Sequence, residues 1–167
     1  MKKLFSVLLV LALASLCALA GAEDIPAVEM EATYEGEYVL VSGTNLVFLL
    51  PSDLTAVEAP EGVNGDVYMG MDGQLFLTVQ VSEGVLEDAI PNFREQLESG
   101  ALSQYFQIFI NDVNWHLVCS ADNTQNIAMT QINDSEILSF AFVVADGSVQ
   151  YEHMEEMLST LAMAVEE

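Results

Sequence analysis

Outside its first 22 residues this chain holds two histidines, one cysteine and 26 carboxylates with which to do chemistry. His116 follows Trp115 in an apolar run. Side chains alternate along a strand, so His116 faces away from Leu117 and Cys119. That parity makes Cys119 a small buried core residue and His116 a partly exposed structural one. It also rules out a Cys119–His116 nucleophile and base. His153 and Glu156 sit three apart on an expected helix and share a face, but no third metal ligand stands at a recognised spacing. His-Glu-x-x-His, Cys-x-x-Cys, Gly-x-Ser-x-Gly and phosphate-loop motifs are all absent. Carboxylate pairs suited to a glycosidase-like acid and base abound, but nothing in their spacing selects any two.

Calcium is the one cofactor the spacing raises. Asn111-Asp112-Val113-Asn114, Asp122-Asn123 and Asn133-Asp134-Ser135-Glu136 place oxygen ligands in successive turns. Alternate turns of a meander lie at one end of the sheet. Asp112 and Asp134 are therefore the candidate calcium ligands, since a hard cation takes oxygen donors. Asn and Asp are equally the residues that turns prefer, and no EF-hand loop is present. No bound cofactor is otherwise indicated.

The elements that must position these residues read mostly as strands. Tyr38 to Val41 and Leu46 to Leu50 flank Ser42-Gly43-Thr44-Asn45, a hairpin signal. Asp66 to Met71 and Gln74 to Val81 flank Asp72-Gly73, which predicts a type I′ turn. Leu77, Val79 and Val81 alternate with Thr78, Gln80 and Ser82, so one face of that strand is solvated. Leu86, Ala89, Ile90, Phe93 and Leu97 form one helical face, with Pro91 either in a first turn that starts near Ile90 or at a kink. Gln104 to Ile110, Asn114 to Ser120, Asn126 to Ile132 and Glu136 to Ala145 then predict an antiparallel meander. Tyr151, Met154, Leu158, Leu161 and Val165 stripe a closing helix.

The expected fold class is α+β, an antiparallel sheet of about six to eight strands with two packing helices, 86–98 and 151–163. Phe48, Leu77, Val79, Phe93, Leu97, Ile108, Trp115, Leu117, Phe140, Phe142, Leu158 and Leu161 form its expected core.

Lys2 and Lys3 precede an apolar run from Leu4 to Leu19, and small residues offer cleavage after Ala20 or Ala22. This is the layout of a secretory signal peptide, and the Lys-Lys-Leu-Phe opening is bacterial in style. The expected organisation is a leader at 1–22, an acidic spacer at 23–37 and a single domain at 38–167. Cleavage removes Cys17, so Cys119 has no intramolecular disulfide partner.

Beyond the leader, Arg94 is the one fixed cation against 26 acids. Such a surface repels nucleic acid and anionic lipid. It fits cationic ligands, peptides or basic protein patches, and it also keeps an exported protein soluble.

Val47-Phe48-Leu49-Leu50-Pro51-Ser52-Asp53-Leu54 resembles the apolar strand ending in proline of the PsbP-like fold. That fold is shared by photosystem II extrinsic proteins, a Ran-binding nuclear import factor and bacterial lipoproteins. The Asp72-Gly73 hairpin, the helix, the meander and the closing Met154-Met157-Leu158-Leu161 helix follow in the same order. Leu54 stands where the family usually carries an aromatic. The resemblance implies a non-enzymatic binding or accessory domain, and it carries over no functional residue. The expected protein is a secreted or cell-surface bacterial binding domain whose partner is a protein, a peptide or a cationic ligand, with no membrane association after cleavage. The rival expectations are an extracellular hydrolase using a carboxylate pair and a cation-stabilised structural module.

Overall fold

The computed structural model describes residues 25–144 and 153–164. The expected leader lies outside them, as do Tyr151 and Val165 of the expected closing stripe. Eleven strands and two short helices make up the described residues. The strands are β1 (Ala27–Val28), β2 (Gly36–Leu40), β3 (Leu46–Pro51), β4 (Leu54–Val57), β5 (Asp66–Gly70), β6 (Leu75–Glu83), β7 (Leu102–Ile110), β8 (Val113–Ser120), β9 (Gln125–Asn133), β10 (Glu136–Val144) and β11 (Ala162–Met163). Helix α1 (Leu86–Glu98) lies between β6 and β7, and α2 (Met154–Leu158) precedes β11.

These strands build two sheets where one was expected. The larger runs β1-β7-β8-β9-β10-β6-β5-β4 and the smaller β11-β3-β2. The meander β7 to β10 forms as predicted, each strand antiparallel to the next. The larger sheet is mixed rather than purely antiparallel, because β1 pairs parallel with β7. That strand comes from the stretch expected as a spacer, so residues 27–28 are fastened to the sheet. The expected 151–163 helix is regular only over Met154–Leu158 within the described residues. Beyond it the chain turns to pair β11 with β3, which gives Ala162 and Met163 strand partners.

The core lies between the sheets. Phe48 from β3 meets Phe140 edge-to-face at 5.0 Å and Tyr68 at 6.1 Å, and Phe140 meets Trp115 at 5.7 Å. Edge-to-face packing places a ring's positive edge against a negative face. Met157 and Leu158 of α2 close the same core, fully buried. Of the expected core residues, Phe48, Leu77, Val79, Ile108, Trp115, Leu117, Phe140, Phe142 and Leu158 are buried. Leu161 and Phe93 are only half-buried, and Leu97 is 39% exposed. For Phe93 and Leu97 the reason is that α1 rests on the opposite, outer face of the large sheet, with no second layer above it in the described residues, whereas Leu161 packs at the margin of the core. Its Phe93 ring meets Tyr105 of β7 at 5.4 Å.

Turn chemistry also differs from expectation. Among residues 71–74 only Gly73 has positive φ, at 69°, so Asp72-Gly73 is not a type I′ turn. The strands stop at Gly70 and resume at Leu75, and the longer loop is closed by Gly73 N–H to Gly70 C=O at 2.9 Å. The pair that does take positive φ at both residues is Asn111 (47°) and Asp112 (65°), between β7 and β8. Asn111 also ties distant segments together. Its Oδ1 accepts from Met30 N–H at 2.8 Å, and its Nδ2 donates to the carbonyls of Met30 and Ser159.

Truncating a fully enclosed aromatic leaves a cavity that the surroundings cannot fill. Phe48→Ala and Phe140→Ala should each cost about 3–5 kcal/mol in chemical denaturation. Phe93→Ala, half-exposed on the outer face, should cost about 1–2 kcal/mol. Equal losses at all three would contradict this division of the core.

Candidate functional site

A cleft of about 840 Å³ opens on the outer face between the start of α1 and one end of the large sheet. The β7–β8 turn brings Asp112 to it and the β9–β10 turn brings Asp134, while α1 adds Glu87. Val85, Leu86, Ile90, Val113 and Ile132 supply apolar wall, and Asn114, His116 and Gln131 supply polar groups. None of the described residues lining it is Lys or Arg. The two aspartates chosen from turn spacing therefore reach one site. Asp122 does not join them. It sits in the intervening turn at the other end of the meander, and its Oδ1 accepts from Ser120 Oγ, Thr124 N–H and Thr124 Oγ1. Those bonds hold its carboxyl down at about 2. Among the described residues no group of three or more His, Cys, Asp or Glu is placed to hold a metal ion.

Gln131 positions the helical wall. Val85, the residue before α1, makes no side-chain cap, yet the first N–H groups of a helix need acceptors. Gln131 Oε1 accepts from Leu86 N–H at 2.6 Å. Its Nε2 is shared among the carbonyls of Gly84, Asn133 and Glu136 at 3.1, 2.6 and 2.9 Å. One side chain thus joins the helix start to the β9–β10 turn. This cap lets α1 begin at Leu86, as the expected 86–98 helix has it, so Pro91 lies inside the helix and not in a first turn starting near Ile90. No local signal marks Gln131 as the cap, because Leu86 and Gly84 are distant in sequence.

His116 lies at the base of the cleft. It is buried at 5% exposure, not partly exposed as expected, because α1 covers its face of β8. Its Nδ1 is 3.1 Å from Tyr105 Oη, and Gln107 Nε2 donates to that same oxygen at 3.1 Å. Burial pushes the His116 pKa down, so the ring is neutral at pH 7. Cys119, on the opposite face of β8, is buried and free as its parity predicted, and burial pushes its thiol up. Such a thiol is unreactive.

The carboxyl with a raised pKa lies elsewhere. Glu155 of α2 borders a narrow apolar crevice with Val28, Met30, Phe106, Ile108, Ile110 and Leu117. Burial and then the neighbouring Glu156 push it up. Glu156 itself accepts from Thr33 N–H at 2.7 Å and Thr33 Oγ1 at 2.9 Å, strapping the N-terminal segment to α2.

No family model matches this chain, and no curated protein matches it. A crystal structure from Bacteroides thetaiotaomicron is similar, with a TM-score of 0.54 and 16% identity over 78% of this chain. The chain spans about half of that neighbour, 49% of its length. At that identity the likeness shows the fold alone. No helix among the described residues is long and apolar enough to cross a membrane.

Three outcomes test these assignments. Gln131→Ala should destabilise the fold by about 1–2 kcal/mol, as loss of a helix cap does, with faster amide exchange at the start of α1. Glu155 has a folded pKa raised above its unfolded value. Its contribution is most favourable below the unfolded value and is lost as pH rises through the folded one. Glu155→Gln should therefore raise the melting temperature at pH 7 and lose that advantage in acid. Finally, calcium and sodium at matched ionic strength should shift the melting temperature alike, by screening. A calcium-specific shift abolished by Asp134→Asn would instead establish a cation site.

Proposed function

We propose that this chain is an exported, non-enzymatic binding domain whose ligand site is the cleft beside α1, and that the ligand is cationic. The observation that carries this reading is the lining itself. Glu87, Asp112 and Asp134 stand around a recess with apolar walls and no Lys or Arg among its described lining residues. A site of that volume suits a small ligand or a peptide segment. An ammonium or guanidinium group answers the carboxylates, and its aliphatic stem answers Val85, Leu86, Ile90 and Ile132. The leader-like start supports work outside the cytoplasm. A PsbP-like accessory domain, as the Val47–Leu54 strand suggests, fits the same role.

The hydrolase alternative requires a carboxylate pair with one raised pKa in the cleft. Glu155, whose pKa burial raises, borders a separate narrow crevice with no second carboxylate among its lining residues.

Titration with a lysine-rich peptide should perturb the amides of residues 112–116 and 130–134 and leave the β4–β5 edge unmoved. Binding should weaken with added salt. Asp112→Asn with Asp134→Asn should reduce affinity about three- to tenfold, since partly exposed ion pairs contribute about 0.2–1 kcal/mol each. Perturbations spread evenly over the acidic surface would defeat the assignment to this cleft.

A further inference from the structure

His116 carries a feature that a structural histidine does not need. Its ring is locked from one side only. The Tyr105 hydroxyl has one proton, and Gln107 Nε2 already donates to its oxygen. Among the described residues the other partner of that hydroxyl is His116 Nδ1, and a proton directed there is the arrangement in which the hydroxyl donates as well as accepts. A neutral imidazole that accepts at Nδ1 carries its own hydrogen on Nε2. No described residue bonds Nε2, although the residue is 95% covered and lines the cleft. Two residues along the same face of β8, Asn114 also lines the cleft. Its Oδ1 is buried and has no hydrogen-bond partner among the described residues. The terminal torsion of asparagine is soft, so the amide can turn without moving the backbone.

A donor open to the cleft and a buried acceptor without a partner among the described residues thus stand two residues apart on one face of β8, and the unsatisfied buried Oδ1 calls for an explanation. A peptide group supplies the complement of both. We infer that the cleft recognises peptide backbone, with a ligand C=O on His116 Nε2–H and a ligand N–H on Asn114 Oδ1, while a lysine side chain of the same peptide reaches Asp112 and Asp134. This rests on the cationic reading of the cleft and deepens it. The ligand class becomes a basic peptide rather than any amine, and Tyr105 becomes a positioning residue that sets the tautomer of His116.

Two probes separate the readings. N-acetyl-lysine N-methylamide carries the ammonium chain and two amides; n-pentylamine carries the chain alone. Affinities follow from amide shift titrations, and long-range ¹H–¹⁵N spectra report which ring nitrogen of His116 bears the proton. The inference expects an Nε2–H tautomer whose Nε2 resonance moves with the diamide and not with the amine. It also expects about tenfold tighter binding of the diamide, as two net hydrogen bonds supply. Asn114→Ala should weaken binding of the diamide more than binding of the amine. Tyr105→Phe should mix the tautomers and reduce that preference also. A proton on Nδ1 in the wild-type chain, or equal affinity for the two probes, would overturn peptide recognition and leave the cationic cleft standing. Binding of neither probe would overturn both.

Discussion

The structure depends on the contact between Phe48 and Phe140, which joins the small sheet to the large one. Each is fully buried, and each has a second aromatic neighbour, Tyr68 for one and Trp115 for the other. The apolar face of a sheet has to be buried against another layer. The small sheet's inner residues Val41, Phe48 and Leu50 are buried because the larger sheet covers them. Once that layer is seated, the chain beyond α2 has an open edge on β3 to pair with, and α2 can drop Met157 and Leu158 into the gap. Trp115 tolerates an indole N–H with no partner among the described residues. Its ring area at the centre of this contact offsets that desolvation cost.

Packing one face of the large sheet so completely frees the other face for a different task. Helix α1 crosses the outer side over β7 and β9 and leaves a recess at its own beginning. That recess holds its shape because Gln131 joins the helix start to a turn, and because Asn111 and Asp112 take the left-handed backbone of a tight hairpin. Non-glycine residues with positive φ are uncommon, and Asn and Asp tolerate them best. The same residue types that make these turns therefore also bring carboxylates to the rim. Turn geometry and site chemistry share one cause here.

Charge sets the remaining constraint. With Arg94 the lone fixed cation after the leader-like segment, several of the described carboxylates are held by hydrogen bonds. Asp122 takes three donors from Ser120 and Thr124, Asp66 takes Ser42 N–H and Oγ, and Glu156 takes Thr33. Each of these bonds links a carboxylate to a turn or to a neighbouring segment, so the acids hold the surface in place even as they repel one another. A cleft with no Lys or Arg among its described lining residues is the natural outcome of this composition. His116, at its base, is the one imidazole among them.

Period and parity were legible in the amino-acid sequence because they are local. Two-residue alternation marked the meander from Gln104 to Ala145, set Cys119 on the core face and His116 on the other, and put the turns of Asp112 and Asp134 at one end. The spacing of Leu86, Ile90 and Phe93 marked α1. Local pattern could not reveal partners. Strands of two to four residues such as β1, β4 and β11 are too short to show a period, and they exist because a neighbouring edge was free to pair with them. The split into two sheets, the parallel pairing of β1, the Gln131 cap, and the burial of His116 beneath α1 were all decided by tertiary structure. Each joins residues far apart in the chain, and such contacts form only when the whole backbone closes upon its core.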